Sequence, residues 1–114
     1  MPDTDTLTNA MVDWFKAALD AADKDADSMA LLAASLMGDQ RLFLQREGDR
    51  ANRTRWMHRR LIREYENAAY LANLGFDHAA DPRHKIRAEA LLGALSTIAA
   101  TYDDYPGYRE EWRP

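Results

Sequence analysis

Cysteine is absent from this sequence, which removes disulfide frameworks, thiolate metal sites and cysteine nucleophiles from consideration. Valine occurs once, at Val12, and isoleucine only at Ile62, Ile86 and Ile98, while alanine and leucine are abundant. Residues that favour strands are too scarce for a sheet, so the fold is expected to be all-α. No apolar run approaches the length of a membrane span, and the start, Met1-Pro2-Asp3-Thr4-Asp5-Thr6, carries neither a basic nor an apolar secretory segment. The expected compartment is the cytoplasm, with no membrane partner. There is no glycine-rich phosphate loop and no dinucleotide fingerprint, and Ser28, Ser35 and Ser96 sit in helical contexts rather than in a nucleophile elbow. No enzymatic activity, catalytic residue or cofactor is therefore expected. Internal repeats and low-complexity stretches are missing too, and no heptad persists for three repeats.

What is present is charge, unevenly placed. The chain has 114 residues and a formal net charge of -4, enough length for one domain with a core of its own. Residues 1–27 hold seven aspartates against Lys16 and Lys24, whereas residues 41–63 hold eight arginines against Glu47 and Asp49. Neighbouring segments of opposite charge are expected to face each other, within one chain or across a dimer.

The hydrophobic periodicity predicts about four helices. The first spans about 6–24, with Leu7, Met11, Trp14, Phe15, Ala18, Leu19 and Ala22 in one stripe. A second begins near Asp27 or Ser28, either of which can cap it, and carries Met29, Leu32, Ala33, Leu36 and Met37 on one face; Gly38 can interrupt it, but Gly48 is the better stop. The third runs from about 49 to 74, with Ala51, Thr54, His58, Leu61, Ile62, Tyr65, Ala68, Ala69 and Ala72 in one arc. Phe43 and Leu44 fall on that arc as well, so a single rod running back through Gly48 is the alternative. Its end is placed at Gly75, with Phe76 folding back onto Leu71. Asp81 caps the fourth helix and Pro82 opens it. That helix reaches about Tyr102, with a core face of Ala88, Leu91, Ala94, Leu95, Ile98, Ala99 and Tyr102. Its other face, Ile86, Ala90, Gly93, Thr97 and Ala100, is small or apolar, which suggests a helix central in the bundle or the seam of a homodimer.

Few residues invite chemistry. Asp77, His78, Asp81 and His84 are of the type zinc or iron accept, but Asp81 is explained as a cap and no single helical face presents both histidines, so a plain interhelical loop is preferred. His58, on the apolar arc, is expected to be a core histidine satisfied by one hydrogen bond. The arginine-rich third helix gives Arg55, Trp56, Arg59 and Arg63 as a nucleic-acid surface, guanidinium forks for phosphates and an indole for a base. The arginines split into two rows, however, with Arg46, Arg50, Arg53 and Arg60 on one side and Arg55, Arg59 and Arg63 on the other, which favours solvated flanks or an acidic protein partner.

The last stretch differs in kind. After about residue 102 an irregular tail, 103–114, interleaves Tyr105, Tyr108 and Trp112 with Asp103, Asp104, Arg109, Glu110, Glu111 and Arg113. Large aromatics beside charges suit a strap docking into a groove, either over the chain's own bundle with Trp112 in the core or on another subunit or protein. In the second case Tyr105, Tyr108, Arg109, Trp112 and Arg113 are the partner-binding residues.

The same stretch, Tyr102-Asp103-Asp104-Tyr105-Pro106-Gly107-Tyr108-Arg109-Glu110-Glu111-Trp112-Arg113-Pro114, resembles the C-terminal signature of a family of small proteins from actinobacteria and their phages, filed as a domain of unknown function. In that family the tail commonly reads Tyr-Ala-Asp-His-Pro-x-Tyr-Arg-Glu-Glu-Trp-Arg-Pro, so this chain departs at Tyr105. Asp81-Pro82-Arg83 before a leucine-rich helix, and Met11-Val12-Asp13-Trp14-Phe15 before an acidic stretch, are similar to its weaker patterns. The resemblance implies a bacterial or phage source and transfers no mechanism. The expected function is a small interaction module that binds another protein and self-associates, with a phage product that modulates a host factor fitting well. A nucleic-acid-binding regulator is the alternative.

Overall fold

The computed structural model describes residues 4–36, 38–73 and 82–114. Those residues form three α-helices and one short turn of 3₁₀ helix: α1 (Thr4–Ala33), α2 (Asp39–Ala72), α3 (Pro82–Ala100) and the turn Glu110–Trp112. The all-α class stands, with three helices in place of four.

Two expected breaks are missing, for the same reason. Around residues 24–28 the chain is Lys24-Asp25-Ala26-Asp27-Ser28, with neither glycine nor proline, and the alanines and leucines beyond it are strong helix formers. Asp and Ser cost a few tenths of a kcal/mol in a helix interior, too little to end one, so Asp27 and Ser28 stay inside α1. Gly48 likewise lies inside α2, which runs unbroken from Asp39 as the single-rod alternative requires. The turn comes instead at Gly38, whose φ of 75° is left-handed and disfavours a side chain. At the other end Pro82 opens α3 as expected. The cap at Asp81, the Gly75 and Phe76 end and the face position of Met37 lie outside the described residues.

The core gathers at one end of the molecule. Met11, Val12, Phe15 and Leu19 of α1, Ile62 of α2, Leu95 and Ala99 of α3 and Trp112 of the tail form one buried cluster, with Trp14, Leu61, Tyr65, Leu92, Ile98, Tyr102 and Tyr108 packed around it. α3 covers only part of the α1–α2 hairpin, because it ends at Ala100 near the middle of α2, where Tyr102 meets His58. Beyond that point α1 and α2 continue as a two-helix arm. The extents of 62 × 29 × 18 Å and a radius of gyration of 17.8 Å compare with about 13 Å for a compact chain of roughly 100 residues.

The second face of α3 is uncovered: Ile86, Ala90, Gly93 and Thr97 are exposed and Ala100 is half-buried. α3 is therefore not central in the chain.

Candidate functional site

The opposite charges of the first and second helices meet along one seam. Arg55 donates through Nε to Asp23 at 2.6 Å, and Arg59 reaches Asp23 at 2.6 Å and Asp20 at 2.9 Å. Lys16 closes the seam further along with Glu66 at 3.0 Å. Burial works to raise the Asp23 carboxyl, but the hydrogen bonds from Arg59 and Arg55 outweigh it and hold the group below its ordinary value. Only 8% of Arg55 is exposed. Two of the four residues expected to meet nucleic acid, Arg55 and Arg59, are thus tied to α1. The other two, Trp56 and Arg63, lie on the outer side of α2, where Trp56, Arg60, Arg63, Glu64 and Asn67 line a shallow depression and the Arg60 guanidinium stands 5.9 Å from the Trp56 ring. The structure does not bring the four together.

His58 behaves as a core histidine. Its Nδ1 is 2.8 Å from the Tyr102 hydroxyl, and its ring packs beside Phe15 and Tyr102. Burial lowers its pKa and raises that of Tyr102, so a neutral ring and an un-ionised phenol share this hydrogen bond.

The tail lies against its own bundle. The Trp14 indole N–H donates to the Pro106 carbonyl at 2.8 Å, and the chain reverses at Gly107, whose φ is 96°. Trp14, Tyr108 and Trp112 then form a triangle of rings with centroids 5.2 to 5.8 Å apart. Arg113 stands over Tyr108 at 5.3 Å and is held by Glu110 at 2.9 Å and Asp103 at 3.0 Å. Arg109 stands over Trp112 at 5.4 Å, and Tyr105 donates to Asp25 at 3.1 Å. All five residues named as partner-binding are therefore in contact with the chain itself. The Trp112 indole N–H and Tyr108 hydroxyl are buried without a hydrogen-bond partner among the described residues.

Among the loop residues named for a metal, Asp77, His78 and Asp81 lie outside the described residues, and His84 sits half-buried in the first turn of α3. Among the described residues no three His, Asp or Glu side chains converge as a metal site, and no helix is long and apolar enough to cross a membrane.

The feature that the sequence reading missed is the arm. Its residues Met29, Leu31, Leu32, Leu42 and Phe43 stand more than half exposed, Leu31 at 78%, Leu32 at 64% and Phe43 at 63%. Between the two helices runs an open groove of about 830 Å³, lined by Ala22, Ala26, Ala33, Leu44 and Ala51 and, from the tail, by Tyr105. The signal was the apolar face of Met29, Leu32 and Leu36 with no matching helix to cover it. Comparison of the chain with known protein families, curated proteins and solved structures finds no match.

Proposed function

We propose that the protein is a small interaction module whose partner-binding element is the α1–α2 arm. One observation carries this reading: the arm holds five of the exposed large apolar side chains on a two-helix projection that contributes almost nothing to the core. Exposed apolar surface gathered on one projection marks an interaction site when it reaches several hundred Å²; the other exposed large side chains, Trp56, Met57, Tyr70 and Ile86, stand elsewhere on α2 and α3. The tail supports the arm from behind, since Tyr105 lines the groove and anchors on Asp25. With the resemblance of the tail, the reading extends to a cytoplasmic protein of phage or bacterial origin that modulates a host protein.

The test is site-specific photo-crosslinking in an actinobacterial lysate from positions 32 and 43 on the arm and from positions 70 and 86, exposed elsewhere. Discrete adducts from the arm alone support the proposal. Equal labelling at all four positions, or none at the arm, overturns it.

Nucleic-acid binding keeps a narrower footing as the second reading. It rests on Trp56, 55% exposed, beside Arg60, with Arg53 and Arg63 free of ion pairs among the described residues. It requires retardation of single-stranded DNA at low salt that is lost in an Arg53→Gln, Arg63→Gln variant. No retardation removes it.

A further inference from the structure

The groove of the arm continues a cleft that a helix fills elsewhere in the same molecule. Placed at 100° per residue, the row Met11, Phe15, Ala18 and Ala22, buried in the core half of α1, runs on through Ala26, Met29 and Ala33 within one arc of about 80°. On α2 the row Ile62, His58 and Arg55 runs on through Ala51, Gly48 and Leu44 within an arc of about the same width. In the core half, Leu95 and Ala99 of α3 and Tyr102 just beyond it pack with these rows. α3 ends at Ala100, while both rows continue and line the open groove from its two sides. The groove extends from Ala22 to Ala34 along α1 and from Arg41 to Arg55 along α2. That is about 18 to 21 Å, the length of a helix of about 12 to 14 residues.

We infer that the groove takes one amphipathic helix of a partner protein, carrying large apolar side chains on the face it buries and basic side chains on its flanks. This rests on the arm being the binding element and names the chemistry of what it binds. Side-chain size is the first argument. Alanine and glycine predominate among the apolar lining residues, so an occupant can approach closely and must itself bring the bulk that fills the space, as leucine, methionine or phenylalanine do. A helix presents such anchors at i, i+3, i+4 and i+7.

Charge is the second argument. Asp23 and Arg55 of the lining are paired with each other. What remains is four carboxylates, Asp25, Asp27, Glu47 and Asp49, against the single guanidinium of Arg41, a net of -3. Glu47 has Arg50 at 3.6 Å, whereas Asp25, Asp27 and Asp49 have no cationic partner among the described residues. Lysine or arginine flanking the apolar stripe meets these carboxylates favourably, and a phosphate backbone or a second acidic helix is repelled by them.

Fluorescence anisotropy with the full chain tests this. The probe is a labelled helical peptide of about 14 residues, with leucine at i, i+4, i+7 and i+11, lysine on both flanks and alanine elsewhere; its control carries glutamate for every lysine. The lysine peptide should bind at least tenfold more tightly than the glutamate peptide, and should weaken as salt is raised from about 0.05 M to about 0.3 M. Asp27→Lys with Asp49→Lys should reverse the preference, with the helical circular dichroism unchanged. Asp13→Lys with Glu89→Lys makes the same change of charge on exposed residues away from the groove and should leave the affinity within twofold. Ala51→Gln, which adds bulk without charge to the groove, should weaken the lysine peptide at least fivefold. Equal binding of the two peptides, no binding of the lysine peptide at 1 mM, equal losses in the two lysine double variants, or no loss in Ala51→Gln overturns the inference. A dimer in sedimentation equilibrium that excludes the peptide overturns it in favour of a second copy. Discrete arm crosslinks that persist beside any of these results leave the arm as the binding element and remove only the basic helix.

Discussion

Trp14 and Gly107 meet where the tail turns back, and each constrains the other. A Cβ on Gly107 would stand 3.1 Å from Trp14 Cδ1, and the backbone there has a φ of 96°. Gly107→Ala thus pays for a left-handed conformation and a close contact together, and should cost about 1–3 kcal/mol in urea unfolding. Trp14→Phe removes the hydrogen bond to Pro106 and part of the ring triangle, and should cost a similar amount. Tyr108→Phe should leave stability unchanged or raise it by about 1 kcal/mol, because the hydroxyl it removes is buried without a partner among the described residues and its desolvation is uncompensated. A large loss in that variant would mean that the hydroxyl is satisfied after all. His58 adds a pH dependence with a defined sign. Its pKa is lowered from 6.5 by burial, so the unfolded chain takes up a proton before the folded chain does. Its contribution is complete above about pH 6.5 and is lost as pH falls through the folded value. Asp23, also lowered, from 3.8, acts only in a more acidic window. His58→Gln should therefore flatten the stability slope just below pH 6.5 and leave the steeper loss near pH 4, as measured by urea unfolding at half-unit steps.

The length of α2 is the property of an element rather than of any one residue. Gly48 costs this helix about 1 kcal/mol relative to alanine, and nothing lies within 4 Å of where a Cβ would stand. Gly48→Ala should raise the melting temperature of the monomer by about 4 °C, measured at low protein concentration by circular dichroism. No gain would show that the groove closes on this position. The stripes of apolar residues were legible in the sequence because their three-four spacing depends only on the helical repeat, and Met11, Phe15, Ile62, Leu95 and Ala99 were placed correctly by it. The seam of Asp20, Asp23, Arg55 and Arg59 was legible as two blocks of opposite charge. Breaks were less legible, since Ser28 and Gly48 are cap or stop residues only when the energy on the far side does not favour continuation. Leu32 and Phe43 were misplaced for a different reason. Their spacing marks an apolar face, but whether a neighbour covers it depends on where α3 stops, and that is a fact about another helix.

At the scale of the molecule, the core and the arm are separable. Every member of the buried cluster lies between residues 11 and 19, at 62, or between 95 and 112, whereas the arm beyond the Asp23–Arg55 pair adds only Ala33 to the buried apolar set. Replacing residues 27–51 by a helix-hairpin loop of about four residues keeps the charged seam and the tail contacts. Closing a shorter loop also costs slightly less chain entropy, which offsets the lost contact at Ala33. The shortened protein should unfold cooperatively with a free energy within about 2 kcal/mol of the full chain, since the apolar burial that dominates stability is retained. Its radius of gyration in small-angle scattering should fall from 17.8 Å toward the roughly 13 Å of a compact domain. Loss of cooperative unfolding would show instead that the arm holds the bundle together, and its exposed leucines and phenylalanine would then need a structural explanation in place of a partner.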